Sequence, residues 1–488
     1  MEWHQMCSRR LVLFTFLLVF LPAYANASWT KYESSNFIVY SDYADKSVKK
    51  KIERLERFKA TLNKLLSIPE AAGRVPFEIY WFKNRREFRK YTEDFDTAGF
   101  FLDRLGSPVM VVGPGYGDEV LFHEYIHFLT RRLGSFKYPR WYDEGIAEFY
   151  STMEFKGGDA IVGAVPDIRK SWLQHRPKVK LSELLEHGYQ SRGSQFTARF
   201  YASSWLLVHR LILGYMNNMP DYNDGLRDYL KRYTEGEKGA EVFMASIGAD
   251  EADLQSELSH YARKRNLKLG SMKAPKVAVQ IQAARLDKAE ALNAMVRLAL
   301  AKNDWKYAEE LLRDDEATLD TEGRAVLAII EGHGNEVPGS EVVLIEALEA
   351  SSELSGAASN FLGHALFDLA EKPGASSEQN LIDAVNYLMQ AREQGQLHGE
   401  ARMLVEALWS LGREEEAIAE IVRLIQSNPA SIATNMLAGE YMIKARALDE
   451  AKYFLRKVVN WSHSESQVKY AEKLLAKLDS IIAVTEAP

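Results

Sequence analysis

The chain has 488 residues, which is too long for one hydrophobic core and predicts two or three domains. An apolar fraction of 47% and a charged fraction of 26% are ordinary for a folded protein and exclude a broadly disordered chain. The formal net charge of -7 provides no basic field, so the composition argues against nucleic acid as a partner.

The N-terminus has the three parts of a secretory signal peptide. Arg9 and Arg10 precede an apolar run from Leu11 to Leu21, and Ala25-Asn26-Ala27 provides small residues for cleavage. We therefore expect residues 1–27 to be removed during export to the periplasm or the extracellular space. The apolar run is too short to span a bilayer as a stable helix, although an uncleaved membrane anchor is the alternative interpretation.

The only cysteine, Cys7, lies inside this predicted signal peptide. The mature chain would then contain no disulfide and no thiolate, so that only His, Asp or Glu could hold a metal. No other apolar segment reaches the roughly 18 residues of a membrane-spanning helix, which predicts no integral membrane span in the mature chain.

Residues 28–270 mix strand and helix signals and predict an α+β domain. Runs rich in β-branched and aromatic residues predict strands at Phe37–Ser41, Phe77–Phe82 and Pro108–Val112. Helical periodicity and caps predict helices over Asp45–Leu66, from Asp118 to a cap at Gly134, from Trp141 past Tyr150, and around Ala202–Leu213. Lys156-Gly157-Gly158 predicts a turn between two short strands.

Residues 277–484 contain almost no strand signals and predict an all-α domain of helical repeats. Ala384, Ala417 and Ala451 recur after 33 (417 − 384) and 34 (451 − 417) residues, a period typical of tetratricopeptide repeats. Ala308 and Ala347 mark earlier units with less regular spacing. Such a stack offers a concave face to a protein partner or peptide, whereas a plain helical bundle would not.

The pentapeptide His123-Glu124-Tyr125-Ile126-His127 carries the clearest chemical signal. On a helix, the two histidines lie four residues apart on one face and can bind the same zinc ion. Glu124 can reach a water on that ion and accept its proton as general base. The motif alone also occurs by chance, on helices whose histidines are structural.

A third ligand is expected, because a catalytic zinc site usually has three protein ligands and one open position. Glu144 and Glu148 follow the first motif in Trp141-Tyr-Asp-Glu-Gly-Ile-Ala-Glu148, after a loop that would allow a helical hairpin. We favour Glu144 as the ligand, since Gly145 beside it allows close helix packing, with Glu148 orienting a histidine. The reverse assignment remains open.

These two motifs together resemble the gluzincin peptidases, and in particular the peptidase MA-like group of exported bacterial proteins. The resemblance covers roughly residues 30–270, including the segments Glu33–Tyr40 and Phe200–Trp205. It implies a zincin-like α+β fold, zinc ligands His123, His127 and Glu144, and Glu124 as the base.

Gluzincins often stabilise the oxyanion with a downstream tyrosine or histidine, and Tyr201, expected near a helix start, is the candidate. His209 on the same helix is expected to be structural. Thr130 and Leu133 occupy positions where a metzincin has glycine and histidine, which excludes that group. No Gly-x-Met-Glu-Asn segment precedes His123, which argues against an aminopeptidase.

The sequence therefore predicts an exported zinc metallopeptidase that cleaves a peptide or protein substrate, with repeats that recruit substrate or a protein partner. Two further interpretations remain. One is a non-catalytic scaffold of the cell envelope with a vestigial peptidase fold. The other is a protease-chaperone that monitors unfolded proteins. We expect Pro108–Val112 to be an edge strand on which substrate could add as a further strand.

Overall fold

The structure is a computed structural model. It describes residues 29–66, 77–92, 98–102, 108–115, 118–132, 138–175, 178–186, 193–264, 266–320, 322–324, 326–327, 330, 356–371, 377–394, 400–429, 431–462 and 464–485. The predicted signal peptide with Cys7, the predicted cap at Gly134 and the early repeat position Ala347 lie outside these residues.

A twisted mixed sheet lies at the centre of the first part of the chain. Its strands are β1 (Thr30–Glu33), β2 (Phe37–Ser41), β3 (Phe77–Trp81), β4 (Gly99–Leu102), β5 (Val109–Val112) and β9 (Gln282–Arg285), in the order β4-β5-β3-β2-β1-β9. Strands β2, β3 and β5 are parallel, and the other neighbours are antiparallel. A second sheet consists of β6 (Glu154–Lys156), β7 (Asp159–Val162) and β8 (Gly270–Lys273).

The predicted edge strand is in fact an interior one. β5 lies between β3 and β4, and all four of its residues are buried, as expected for a strand covered on both faces. The edge is β4, Gly99–Leu102, whose short half-buried sequence carries no strand pattern of its own. The prediction that Pro108–Val112 is an edge strand was therefore wrong. β4, which precedes this strand in the chain, pairs with its outer side and forms the edge instead.

The helices of the first part follow or separate the strands of this sheet, and those of the second part follow in hairpins. The first set is α1 (Asp45–Leu65), α2 (Arg85–Arg89), α3 (Asp118–Arg132), α4 (Arg140–Ser151), α5 (Lys170–His175), α6 (Leu181–Glu186), α7 (Ser194–Leu213), α8 (Asn223–Thr234), α9 (Ala240–Ile247) and α10 (Glu251–Tyr261). The second set is α11 (Lys288–Ala301), α12 (Trp305–Asp314), α13 (Gly356–Glu371), α14 (Ser377–Glu393), α15 (Ala401–Ser410), α16 (Glu414–Ser427), α17 (Ile432–Lys444), α18 (Leu448–Trp461) and α19 (Glu465–Thr485).

Over the residues that the structure describes, the chain is thus mixed α/β first and all-helical from α11 onward, as the sequence predicts. The strands at residues 37 and 77, the β6–β7 hairpin and helices α1, α3, α4 and α7 confirm the corresponding predictions. β9 was not expected: Gln282–Arg285 lies in the segment predicted to be helical, yet it pairs with β1. The domain boundary between 270 and 277 stays a prediction.

The two faces of the sheet belong to two cores. On one face, alternate residues such as Val39 and Met110 pack with α1 and α3, where Phe58 and Phe122 stack at 3.9 Å between ring centroids. On the other face, residues such as Tyr80 share a core with the helices of the second part. Because α11 onward covers one face of the sheet, the helical part is joined to the first part by a hydrophobic core.

The recurring alanines occupy contacts between helices. Ala384, Ala417 and Ala451 are all fully buried, because a methyl group lets neighbouring helices approach closely. Ala417 and Ala451 lie near the starts of α16 and α18 as predicted, whereas Ala384 lies in the middle of α14. Among the described residues, no helix is both long and apolar enough to cross a membrane.

His209 is a structural histidine, as expected. It is fully buried in α7, and its Nδ1 lies 2.9 Å from Tyr261 Oη, which also accepts a hydrogen bond from Asn217. Burial lowers the pKa of His209 to about 4.

Acid should therefore destabilise this core. Between pH 6.5 and about 4, His209 is protonated in the unfolded chain but neutral in the folded protein. The free energy of unfolding should therefore decrease as the pH is lowered, by about 2–3 kcal/mol from His209 alone. His209→Gln should remove this part of the pH dependence of the free energy of unfolding. Urea unfolding of the parent and the variant at pH 7.5 and pH 5 measures this pH dependence. An equal loss of stability in both proteins would contradict the role assigned to His209.

Candidate metal centre

Helix α3 presents the first motif because its two faces differ in hydrophobicity. Phe122, Ile126 and Leu129 are buried against the sheet and α1. The intervening positions His123 and His127 therefore point away from the sheet, one helical turn apart. The hydrophobic pattern thus fixes the direction of both imidazoles.

Helix α4 returns the second motif to the same place. It packs between α3 and α7, and Gly145 makes the contact with α7 possible. A Cβ atom at Gly145 would lie 2.6 Å from the backbone oxygen of Ser204, so any side chain there would push the two helices apart. The close approach holds Glu144, which is buried, opposite the histidines of α3.

The three predicted ligands meet at one point. His123 Nε2 and His127 Nε2 are 3.2 Å apart, and Glu144 Oε2 lies 3.3 Å from the first and 3.4 Å from the second. These atoms form a nearly equilateral triangle. Three residues so placed could hold one metal ion.

The size and chemistry of the triangle fit zinc. A tetrahedral zinc ion with bonds of about 2.0–2.1 Å to nitrogen and oxygen separates its ligand atoms by about 3.3 Å. Glu144 Oε2 is buried and has no hydrogen-bond partner among the described residues, which is costly unless a cation satisfies it. Two imidazoles and one carboxylate are a typical catalytic zinc set and leave a fourth position open.

Two further carboxylates hold the imidazoles. Asp143 Oδ1 lies 3.2 Å from His127 Nδ1, and Glu148 Oε1 lies 3.6 Å from His123 Nδ1. Asp143 favours the His127 tautomer with the proton on Nδ1, so that the Nε2 lone pair faces the triangle, whereas Glu148 attracts His123 Nδ1 from beyond hydrogen-bond distance. Arg169 donates two hydrogen bonds to Glu148, at 3.0 and 2.7 Å.

Sequence reasoning assigned this supporting place to Glu148 but missed Asp143. Asp143 immediately precedes Glu144 and is fully buried. Its position in the first turn of α4 resembled an ordinary helix start, where acidic residues are common. Only the packing of α4 against α3 reveals that it faces His127.

The electrostatics of the triangle favour positive charge. Burial disfavours a charged imidazole, but the carboxylates of Asp143 and Glu144 outweigh burial and raise the pKa of His127 to about 10. Burial also disfavours a charged Glu144, yet the two histidines, whose Nε2 atoms lie 3.3 and 3.4 Å from its Oε2, hold the pKa of Glu144 well below its ordinary value. The carboxylates around the triangle thus stabilise positive charge there, which a bound divalent cation would supply.

Glu124 and Tyr201 line the open side of the triangle. Both border a cavity of about 390 Å³ that also contains the ligand residues. The Tyr201 ring stacks on the His123 ring with centroids 5.9 Å apart. Burial and the charges of Glu144 and Glu124 raise the pKa of Tyr201 well above its ordinary value, so its hydroxyl stays protonated and can donate.

Tyr201 was predicted near the start of its helix, but it does not lie there. It is the eighth residue of α7, which begins at Ser194. The apolar residues before it extend the helix by two turns, and this places Tyr201 in the middle of α7, opposite α3 rather than at a helix end.

The comparisons with known proteins add no family to this geometry. No family model matches the chain, and no curated protein is similar to it in sequence.

Proposed function

We propose that this chain is an exported zinc-dependent metallopeptidase. The observation that carries the proposal is the triangle of His123 Nε2, His127 Nε2 and Glu144 Oε2, with sides of 3.2–3.4 Å. Two histidines with a purely structural role would not explain why a buried carboxylate oxygen of Glu144 lacks a hydrogen bond. They would also not explain why two further carboxylates lie beside the Nδ1 atoms.

Within this proposal, each residue around the cavity has a defined task. Zinc, when bound, would polarise the scissile carbonyl and acidify a water molecule. Glu124 accepts the proton of the attacking water and delivers it to the leaving amine. The Tyr201 hydroxyl donates a hydrogen bond to the oxygen on which negative charge develops. Asp143 keeps the His127 imidazole in the tautomer that binds metal, and Glu148 helps to orient His123.

The signals outside the site support an exported enzyme that acts on polypeptides. The predicted signal peptide at residues 1–27 supports export, and the helical repeats of residues 277–484 suit recruitment of a protein substrate or partner. We do not assign an aminopeptidase specificity, since the segment that binds a free amino terminus in such enzymes is missing before His123.

Metal-dependent hydrolysis of an unfolded protein tests the proposal. The purified mature protein is loaded with zinc and incubated with reduced, carboxymethylated protein as substrate, and new amino termini are counted. We expect cleavage that is lost after dialysis against a chelator and restored by one equivalent of zinc. Cleavage that survives complete metal removal, or no cleavage of any polypeptide by the zinc-loaded protein, would overturn the proposal.

A further inference from the structure

The cavity above the metal triangle is built by both parts of the chain. Its first wall consists of β4, α3, α7 and Glu144 of α4. Its second wall comes from the last helices of the repeat region, and we call this second wall the repeat wall. The repeat wall consists of Ile432, Ala433, Trp461, Ser462, Ser464 and Gln467.

Packing holds the repeat wall in place. The Trp461 ring is buried and meets the Tyr138 ring edge-on, with centroids 5.6 Å apart, just before α4 begins. Lys457 donates a hydrogen bond of 2.8 Å to Pro429 O, which ties α18 to the segment before α17. The shared core on the sheet and the β1–β9 pairing add further connections. The repeat wall is therefore a fixed part of the cavity.

The polar end of the repeat wall is ordered by its own hydrogen bonds. Ser462 Oγ donates to Gln467 Oε1 at 2.7 Å and accepts from Ser464 N at 3.1 Å. With its oxygen accepting from Ser462, the exposed Gln467 side chain keeps its NH₂ group as a hydrogen-bond donor at the border of the cavity.

The chemistry of the repeat wall defines what it can bind. It carries no charged side chain, and its amide and hydroxyl groups match the carbonyl and N–H groups of a peptide backbone. At about 390 Å³, the cavity is near the lower end of the range of ligand sites, about 300–1,000 Å³. A cavity of this size can take a short extended segment.

Building on the proposed function, we propose that the repeat wall is a substrate subsite that binds the backbone of an extended, unfolded polypeptide segment through Gln467. The helical repeats then do more than recruit substrate from a distance, because they complete the cavity in which the bond is cleaved. The subsite selects unfolded polypeptide rather than side chains of a particular charge.

A binding experiment that needs no turnover tests this subsite. All proteins are the mature chain, in which an introduced thiol is the only one, and carry Glu124→Gln so that the peptide is not consumed. Gln467→Cys, labelled with a bulky maleimide, should weaken binding of a fluorescent, unstructured eight-residue peptide at least tenfold. The matched control is labelled Ser480→Cys, an exposed site on the same helix α19, which should change the Kd less than twofold.

A conservative exchange separates the hydrogen bond from simple obstruction. Gln467→Glu keeps the size of the side chain and an acceptor for Ser462 Oγ but replaces the donating NH₂ group. In active protein it should raise KM about fivefold and leave kcat within twofold, whereas Gln394→Glu, an exposed exchange in the same helical part, should change neither.

The outcomes distinguish the subsite from the enzyme. Stoichiometric zinc and cleavage, combined with an unchanged peptide Kd after labelling of Gln467→Cys, would overturn the subsite and leave the peptidase proposal intact. Loss of peptide binding in that labelled protein, combined with no zinc and no cleavage by the parent, would support the subsite and overturn the peptidase proposal.

Discussion

Glu124→Gln should lower kcat/KM for peptide hydrolysis by about 10²–10⁴-fold, the contribution expected of a general base. The amide of glutamine cannot accept the proton of the attacking water. Zinc content should stay near one per chain, because Glu124 is not one of the three residues that form the triangle. Metal analysis and initial rates on the same samples measure both quantities.

The control for this exchange is Glu154→Gln on the exposed strand β6, which should leave hydrolysis within twofold of the parent. The same experiment separates the enzyme from the non-catalytic scaffold. If Glu124→Gln retains the hydrolysis rate and the cellular function of the parent, Glu124 is not the base, and the interpretation as a non-catalytic scaffold is favoured.

Two neighbouring exchanges in α4 should have graded effects on zinc affinity. Glu144→Gln removes a ligand, so the zinc Kd should rise by more than 100-fold. Asp143→Asn keeps all three ligands and only loosens His127, and loss of such a supporting carboxylate typically costs about 10–100-fold in affinity. Competition with a zinc-binding dye measures both constants, with circular dichroism to check folding.

The order of these two effects is the informative result. If Asp143→Asn weakens zinc binding more than Glu144→Gln does, then the carboxylate that binds the ion is not the one at position 144. Equal, small effects would mean that zinc binds at another place on the surface.

The metal triangle could be predicted from the sequence because short-range rules determine most of it. Four-residue spacing on a helix fixes the relation of His123 to His127. Gly145 indicated a close helix contact, and the backbone of Ser204 at 2.6 Å from a Cβ at that position explains why only glycine fits there. The period of Ala384, Ala417 and Ala451 is also visible in the sequence, and the structure adds that all three are buried.

The remaining features depend on packing between segments that are distant in the chain. β9 has an exposed sequence without alternation, and only its pairing with β1 makes it a strand. The partner of His127, Asp143, is recognisable only once α4 lies against α3. The repeat wall is the extreme case, because Gln467 and His123 border one cavity although 344 positions (467 − 123) separate them.

The central claim is that one divalent cation lies between His123, His127 and Glu144. Anomalous diffraction at the zinc absorption edge, from crystals of purified mature protein with its zinc content measured, tests this claim most directly. We predict one zinc per chain and a single peak about 2.0–2.1 Å from His123 Nε2, His127 Nε2 and Glu144 Oε2. A protein that takes up no zinc, or a peak away from these three atoms, would contradict the account.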